Sequence, residues 1–138
     1  MACQSACPKG CIAMVPDKLG FAYPTVDESK CVDCGVCVRT CPIINVYESQ
    51  SLLKSYAAVN LSNNDRLDSS SGGVFISLAR EVIRRDGVVF GAVFTENWAV
   101  RHVSAATIEE VLPMMGSKYL QSEIGNTYKE AGKWHIFC

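Results

Sequence analysis

The chain has 138 residues, of which 49% are hydrophobic, a formal net charge of −1 and eight cysteines. Charge near zero offers no basic surface for nucleic acid or acidic lipid, and no apolar run is long enough to span a bilayer. Seven of the eight cysteines fall within the first 41 residues, in spacings that suit metal in a reducing cytoplasm better than secreted disulfides. The length admits one domain or two small ones.

The first element is Cys3-Gln4-Ser5-Ala6-Cys7-Pro8, and its meaning comes from a second, fuller one. Cys31, Cys34, Cys37 and Cys41, followed by Pro42, form C-x2-C-x2-C-x3-C-P. This run holds cubane 4Fe–4S clusters by thiolate ligation, and its fourth cysteine serves the other cluster in two-cluster proteins. Zinc is the rival, but zinc ribbons keep two CxxC pairs well apart, whereas here four cysteines occupy eleven residues. The first element repeats the end of the second with an offset of thirty-four residues at Cys3, Cys7 and Pro8. Swapped ligation then assigns Cys7, Cys31, Cys34 and Cys37 to one complete cluster. Cys3 and Cys41 belong to a second whose two remaining ligands would precede Met1. The chain therefore reads as starting inside its first motif. Cys11 stands where the second copy has Asn45, and it is open as a buried free cysteine, the favoured reading, or a rescue ligand.

The composition changes near residue 48. Residues 1–48 are expected to form a ferredoxin-like module in which clusters replace much of the hydrophobic core. Tyr56 to Val59 reads as a short strand and Asn60 to Ser71 as a polar loop. Gly72 to Asp86 reads as a helix with Val74, Phe75, Leu78, Ala79, Val82 and Ile83 inward, ended by Gly87. Arg80, Glu81, Arg84 and Arg85 make its solvated face. Val88 to Phe94 is a continuous apolar run, as in a buried strand. Ala99 to Ala105 reads as another strand, and Thr107-Ile108-Glu109-Glu110 as a capping box before a helix that Pro113 disturbs. Ser122 to Gly132 is predicted helical and Trp134 to Cys138 a strand. An apolar strand with nothing after it makes the C-terminal end, like the start, read as cut.

Two segments suggest a second cofactor. Ser69-Ser70-Ser71-Gly72-Gly73 precedes a helix, where free amides and the helix dipole favour phosphate; an ordinary serine N-cap is the competing explanation, and from this segment alone the weightier one. Gly116-Ser117-Lys118-Tyr119 joins a small loop, a cation and an aromatic ring, though an exposed Lys-Tyr pair is usually a surface feature. His102 and His135 fall in predicted strands and read as structural.

Taken in order, several segments resemble the coenzyme F-420 hydrogenase/dehydrogenase beta-subunit family. They are the double cysteine motif, Tyr56-Ala57-Ala58, Ser70-Ser71-Gly72-Gly73-Val74-Phe75, Gly87-Val88-Val89-Phe90-Gly91-Ala92 and Gly116-Ser117-Lys118-Tyr119-Leu120-Gln121-Ser122. The resemblance covers essentially the whole chain. It implies iron–sulfur clusters together with FAD, contacts to the flavin from Ser70, Ser71, Gly72, Gly73 and Lys118, and a deazaflavin coenzyme F-420 or another electron acceptor. It also implies a redox partner protein or subunit. The expected fold class is α+β/α/β, a 4Fe–4S dicluster module over 1–48 and the beginning of a flavin-binding α/β domain over 49–138. The expected function is an iron–sulfur flavoprotein oxidoreductase subunit in the cytoplasm, with catalytic residues unassigned and this chain alone expected to be inactive and to be purified without FAD. A simple ferredoxin-type carrier and a non-functional gene fragment with residual iron–sulfur binding are the alternatives.

Overall fold

The protein is represented by a computed structural model that describes residues 1–46, 51 and 53–134. The chain divides into two compact units, Met1–Ser51 and Leu52–Cys138. The composition change near residue 48 lies among residues 47–50, outside those described.

The first unit is built on a repeat that the cysteine spacing foreshadows. Helix α1 (Ala2–Ala6) and helix α2 (Val36–Thr40) each run five residues and end on a cysteine in extended conformation, Cys7 and Cys41. The Cys7 N–H donates to Gln4 O at 3.3 Å, and the Cys41 N–H to Val38 O at 3.2 Å. Both pairs keep the offset of thirty-four seen in the sequence. In each case the following proline cannot continue the helix, so the cysteine side chain leaves at its end.

Between the helices, strands β1 (Ile12–Pro16) and β2 (Ala22–Val26) pair antiparallel, with Ile12 opposite Val26 and Pro16 opposite Ala22. Asp17 makes the turn. Its carboxylate accepts from the N–H groups of Leu19 and Phe21, both at 2.9 Å, the local bonding that suits aspartate to turns. Among the described residues of this unit only Cys11 and Ile12 are buried hydrophobics.

The second unit contains helices α3 (Asn63–Leu67), α4 (Val74–Arg84), α5 (Ile108–Val111) and α6 (Thr127–Ala131) and strands β3 (Val89–Phe94), β4 (Val100–Ala105) and β5 (Ser122–Glu123). The sheet order is β3-β4-β5, with β3 antiparallel to β4 and β5 parallel to it. Its core is Ile76, Ala79, Ala105, Val111 and Met114, with Ile83, Val89, Val93 and Val103 packed against it. Val89, Gly91 and Val93 share one face of β3, as the two-residue period requires. A Cβ at Gly91 would sit 2.6 Å from Met114 Sδ, so glycine here leaves the room that the methionine fills.

Several expectations need correction. Residues 56–59 form no strand, although the chain does pass close to the start of α4: the Asn60 N–H donates to Gly72 O at 2.7 Å. The polar loop over 60–71 contains α3, capped by Ser62, whose side chain accepts from the Asp65 N–H. The buried stripe of α4 is Ile76, Ala79 and Ile83, whereas Phe75 and Leu78 are exposed. Strand β3 is half-buried rather than buried, because helices cover one face of it. Residues 122–132 split into β5 and α6, since Ser122 and Glu123 pair with Val100 and Arg101. The predicted final strand lies mostly on residues 135–138, outside the described residues.

The end of α4 is also more specific than glycine alone suggests. Asp86 adopts φ 56°, its N–H donating to Ile83 O at 2.9 Å, while the Gly87 N–H reaches Val82 O at 2.9 Å. These are the two bonds of a Schellman motif, with aspartate in the left-handed position and glycine one residue later. On the solvated face, Glu81 accepts from Arg84 and Arg85. These bonds, Arg84 foremost, lower its carboxyl pKa from 4.5 to about 2. Their contribution is present above the ordinary pKa and is lost as pH falls through the lowered one. The Thr107 capping box is complete, with Glu110 reaching back to the cap.

Candidate metal centre

The centre lies in the first unit, around a cavity of about 70 Å³. Cys7, Cys11, Cys31, Cys34 and Cys37 all line it, with Pro8, Ile12 and Val36 among the apolar wall. Cys7 comes from the end of α1 and Cys37 from the first turn of α2. Cys31 and Cys34 come from the loop between β2 and α2. That loop turns sharply because Asp33 and Gly35 both take positive φ, 50° and 68°. Arg39 Nη1 donates back to Cys34 O at 3.2 Å and fixes the loop against α2.

The four cysteines expected to ligate one cluster therefore share a single cavity. Among the described residues no three His, Cys, Asp or Glu side chains converge on one point as a lone metal ion requires. A wall lined with thiols is instead the arrangement that a multi-iron cluster needs, with one thiolate directed to each iron. Cys3 and Cys41 are half-buried and do not line this cavity.

Asp27 fastens the two sides of the site. Its N–H donates to Cys11 O at 2.8 Å, and its carbonyl accepts from the Cys31 N–H at 3.1 Å. Its carboxylate accepts from Lys30 at 2.7 Å and from the Ser29 hydroxyl at 2.6 Å. The Lys30 bond first, then Ser29, holds this carboxyl below the usual range. The exposed Lys30 pair adds little, so the turn bonds to Ser29 carry most of the positioning. Asp27→Ala is expected to make a loaded cluster decay a few-fold faster in the presence of a chelator, consistent with loss of roughly 1 kcal/mol. Visible absorbance followed after adding EDTA measures this; an unchanged decay rate would mean that Asp27 does not hold the site together.

Cys11 is buried, with its Sγ 3.4 Å from Cys7 Sγ. The Cys7 thiol is the main influence raising its pKa to about 11, with burial next; Cys7 is correspondingly lowered by bonds from Cys11. The repeat alone assigns Cys11 no role, and its position against the cavity is visible only in three dimensions.

In the second unit, Ser70 and Ser71 are exposed at the approach to α4, Gly72 is half-buried and Gly73 is buried. The helix cap is Gly73, at φ 71° with no side-chain cap bond, so the serine N-cap alternative does not describe this helix. Asn60 Nδ2 donates to Gly73 O at 3.2 Å and holds the turn. Ser70 Oγ lies 3.4 Å from Ser117 Oγ. That is long for a hydroxyl hydrogen bond, yet it brings the two predicted cofactor segments side by side. Lys118 Nζ donates to Pro113 O at 2.9 Å, Met115 O at 2.7 Å and Gly116 O at 3.2 Å. Those are the three donors an ammonium has, and burial lowers its pKa. Lys118 thus braces its own turn.

The family of 4Fe–4S dicluster domains matches residues 1–44. Residues 1–44 are a 4Fe–4S dicluster domain. One of the subunits of the F(420)H(2) dehydrogenase of Methanosarcina mazei is 23% identical over 139 aligned positions, covering 94% of this chain and 40% of that protein. The chain thus spans about two fifths of that relative's length and is distantly related to it along almost all of its own. The dicluster domain is an iron–sulfur electron-transfer module, joined here to a mixed α/β unit. Among the described residues, no helix is long and apolar enough to cross a membrane.

Proposed function

We propose that the chain forms the cluster-bearing, flavin-contacting part of an iron–sulfur flavoprotein oxidoreductase subunit. The observation that carries this is the cavity shared by Cys7, Cys31, Cys34 and Cys37. Bound clusters supply one-electron transfer, and a flavin converts single electrons into a two-electron step. The cysteines hold the cluster, and the apolar wall from Ile12 and Val36 limits water around it. In the second unit, the amides opening α4 suit a flavin phosphate, and Lys118 holds the 113–118 turn near Ser70. The relative's printed name supports a deazaflavin-linked acceptor, with another redox subunit as partner. The parallel proposal for Cys3 and Cys41 is that they serve a second cluster.

A carrier without catalysis is the second reading, and the commitment of all three Lys118 donors to main-chain carbonyls favours it. Reduced, reconstituted chain should pass electrons both to a one-electron acceptor such as cytochrome c and to added FAD, saturating with FAD concentration. Ser71→Asp places a carboxylate where a phosphate would approach, at an exposed position that leaves the turn intact. It should lower the FAD rate several-fold at subsaturating FAD while sparing cytochrome c. Gly73 is unsuited to this test because its positive φ strains any side chain. Equal rates for Ser71→Asp and the parent chain with both acceptors would favour the carrier.

A further inference from the structure

The first cavity contains one thiol more than a cubane cluster uses. Cys7, Cys31, Cys34 and Cys37 account for four irons, and Cys11 is the fifth cysteine on the same wall. The repeat makes its presence informative. The equivalent residue in the second copy is Asn45, whose Nδ2 donates to Val38 O at 2.6 Å and to Arg39 O and Cys41 O at 3.2 Å. Asn45 therefore closes the end of α2. In the first copy that position carries sulfur, and its Sγ meets Cys7 Sγ at 3.4 Å instead. The Pro8-Lys9-Gly10 turn makes this contact: the Gly10 N–H donates to Cys7 O at 3.3 Å and Gly10 takes φ 60°. The bond from the Asp27 N–H to Cys11 O then anchors Cys11 beside the Cys31 loop.

We propose that Cys11 is a reserve ligand of the cluster, placed to take over the iron that Cys7 holds. The inference rests on the reading that this cavity carries a cubane. In the exchange the bond from Cys7 Sγ to iron breaks and one from Cys11 Sγ forms. Cys11 gives up its thiol proton and Cys7 gains one, so no oxidant or reductant is consumed. A sulfur only 3.4 Å away needs a side-chain rotation and a small adjustment of the turn, not a refolding of the module. Cys7 is the ligand this suits best, because it alone among the four comes from the other motif and lacks the support of the Cys31–Cys37 loop.

The test uses the full chain, reconstituted anaerobically with iron and sulfide, and reads iron, sulfide and EPR in oxidised and reduced states. Cys11→Ala should match the parent chain. Cys7→Ala should keep most of a four-iron cluster, and Cys7→Ala/Cys11→Ala should lose it or fall to a three-iron form visible by EPR when oxidised. Cys7→Ser, which keeps the side-chain size, is run beside them and should likewise lose its cluster on adding Cys11→Ala. Loss of the four-iron cluster from both Cys7→Ala and Cys7→Ser with Cys11 intact overturns the proposal. So does its full retention in the double variants. A parent chain that takes up neither iron nor sulfide would instead overturn the cluster reading itself.

Discussion

Cys34→Ala is expected to abolish cluster assembly and, with it, the folded state of residues 1–46. Two buried hydrophobics, Cys11 and Ile12, are what the described part of this unit has for a core. At roughly 1.5–3 kcal/mol for a fully buried large side chain, they cannot offset an ordering cost of about 1–2 kcal/mol per residue. Clusters ligated from both motifs tie α1 to the Cys31–Cys37 loop and make up that deficit, so metal binding and folding are one event. Far-UV circular dichroism and amide dispersion in NMR spectra of Cys34→Ala should show this unit unfolded under conditions where the reconstituted parent is folded. Chelation of iron from the parent should give the same spectra. A Cys34→Ala variant with native dispersion for residues 1–46 would mean that the module folds on side-chain packing alone.

The second large effect is Ile76→Ala. Ile76 is fully buried at the centre of the α4 contact with β3, β4 and α5, and removing its side chain should cost about 2–5 kcal/mol. That is a large share of the stability of a small unit. Leu78 is 63% exposed, and Leu78→Ala should stay within about 0.5 kcal/mol. Urea denaturation of the two variants compares them directly. Equal losses, or a larger loss at Leu78, would show that the helix turns a different face to the sheet.

That contrast marks where the sequence stopped being legible. Helix α4 carries two apolar stripes at helical spacing, Ile76-Ala79-Ile83 and Phe75-Leu78-Val82, and periodicity alone cannot say which one meets the sheet. The cysteine motif was readable because ligand spacing is a local constraint that tertiary packing does not override. The repeat around Cys7 and Cys41 was readable for the same reason, down to the helix that precedes each. The Thr107 capping box is likewise local. By contrast, the Ser122–Glu123 pairing depends on β4 across some twenty residues, and helix-compatible residues gave no hint of it. Lys118 looked available for a ligand because its acceptors are carbonyls, which every residue possesses and no sequence distinguishes. Cys11 was the most telling gap. The repeat predicted its burial by leaving it without an assigned ligand role, yet its contact with Cys7 follows from how the Pro8-Lys9-Gly10 turn folds back.

The central claim is that Cys7, Cys31, Cys34 and Cys37 enclose a cubane cluster, and quantitative iron and acid-labile sulfide analysis with reduced-state EPR tests it most directly. After anaerobic reconstitution the chain should contain about four iron and four sulfide, the content of one cubane, with a reduced spectrum that disappears in Cys34→Ala. Stoichiometric zinc with neither iron nor sulfide would contradict it.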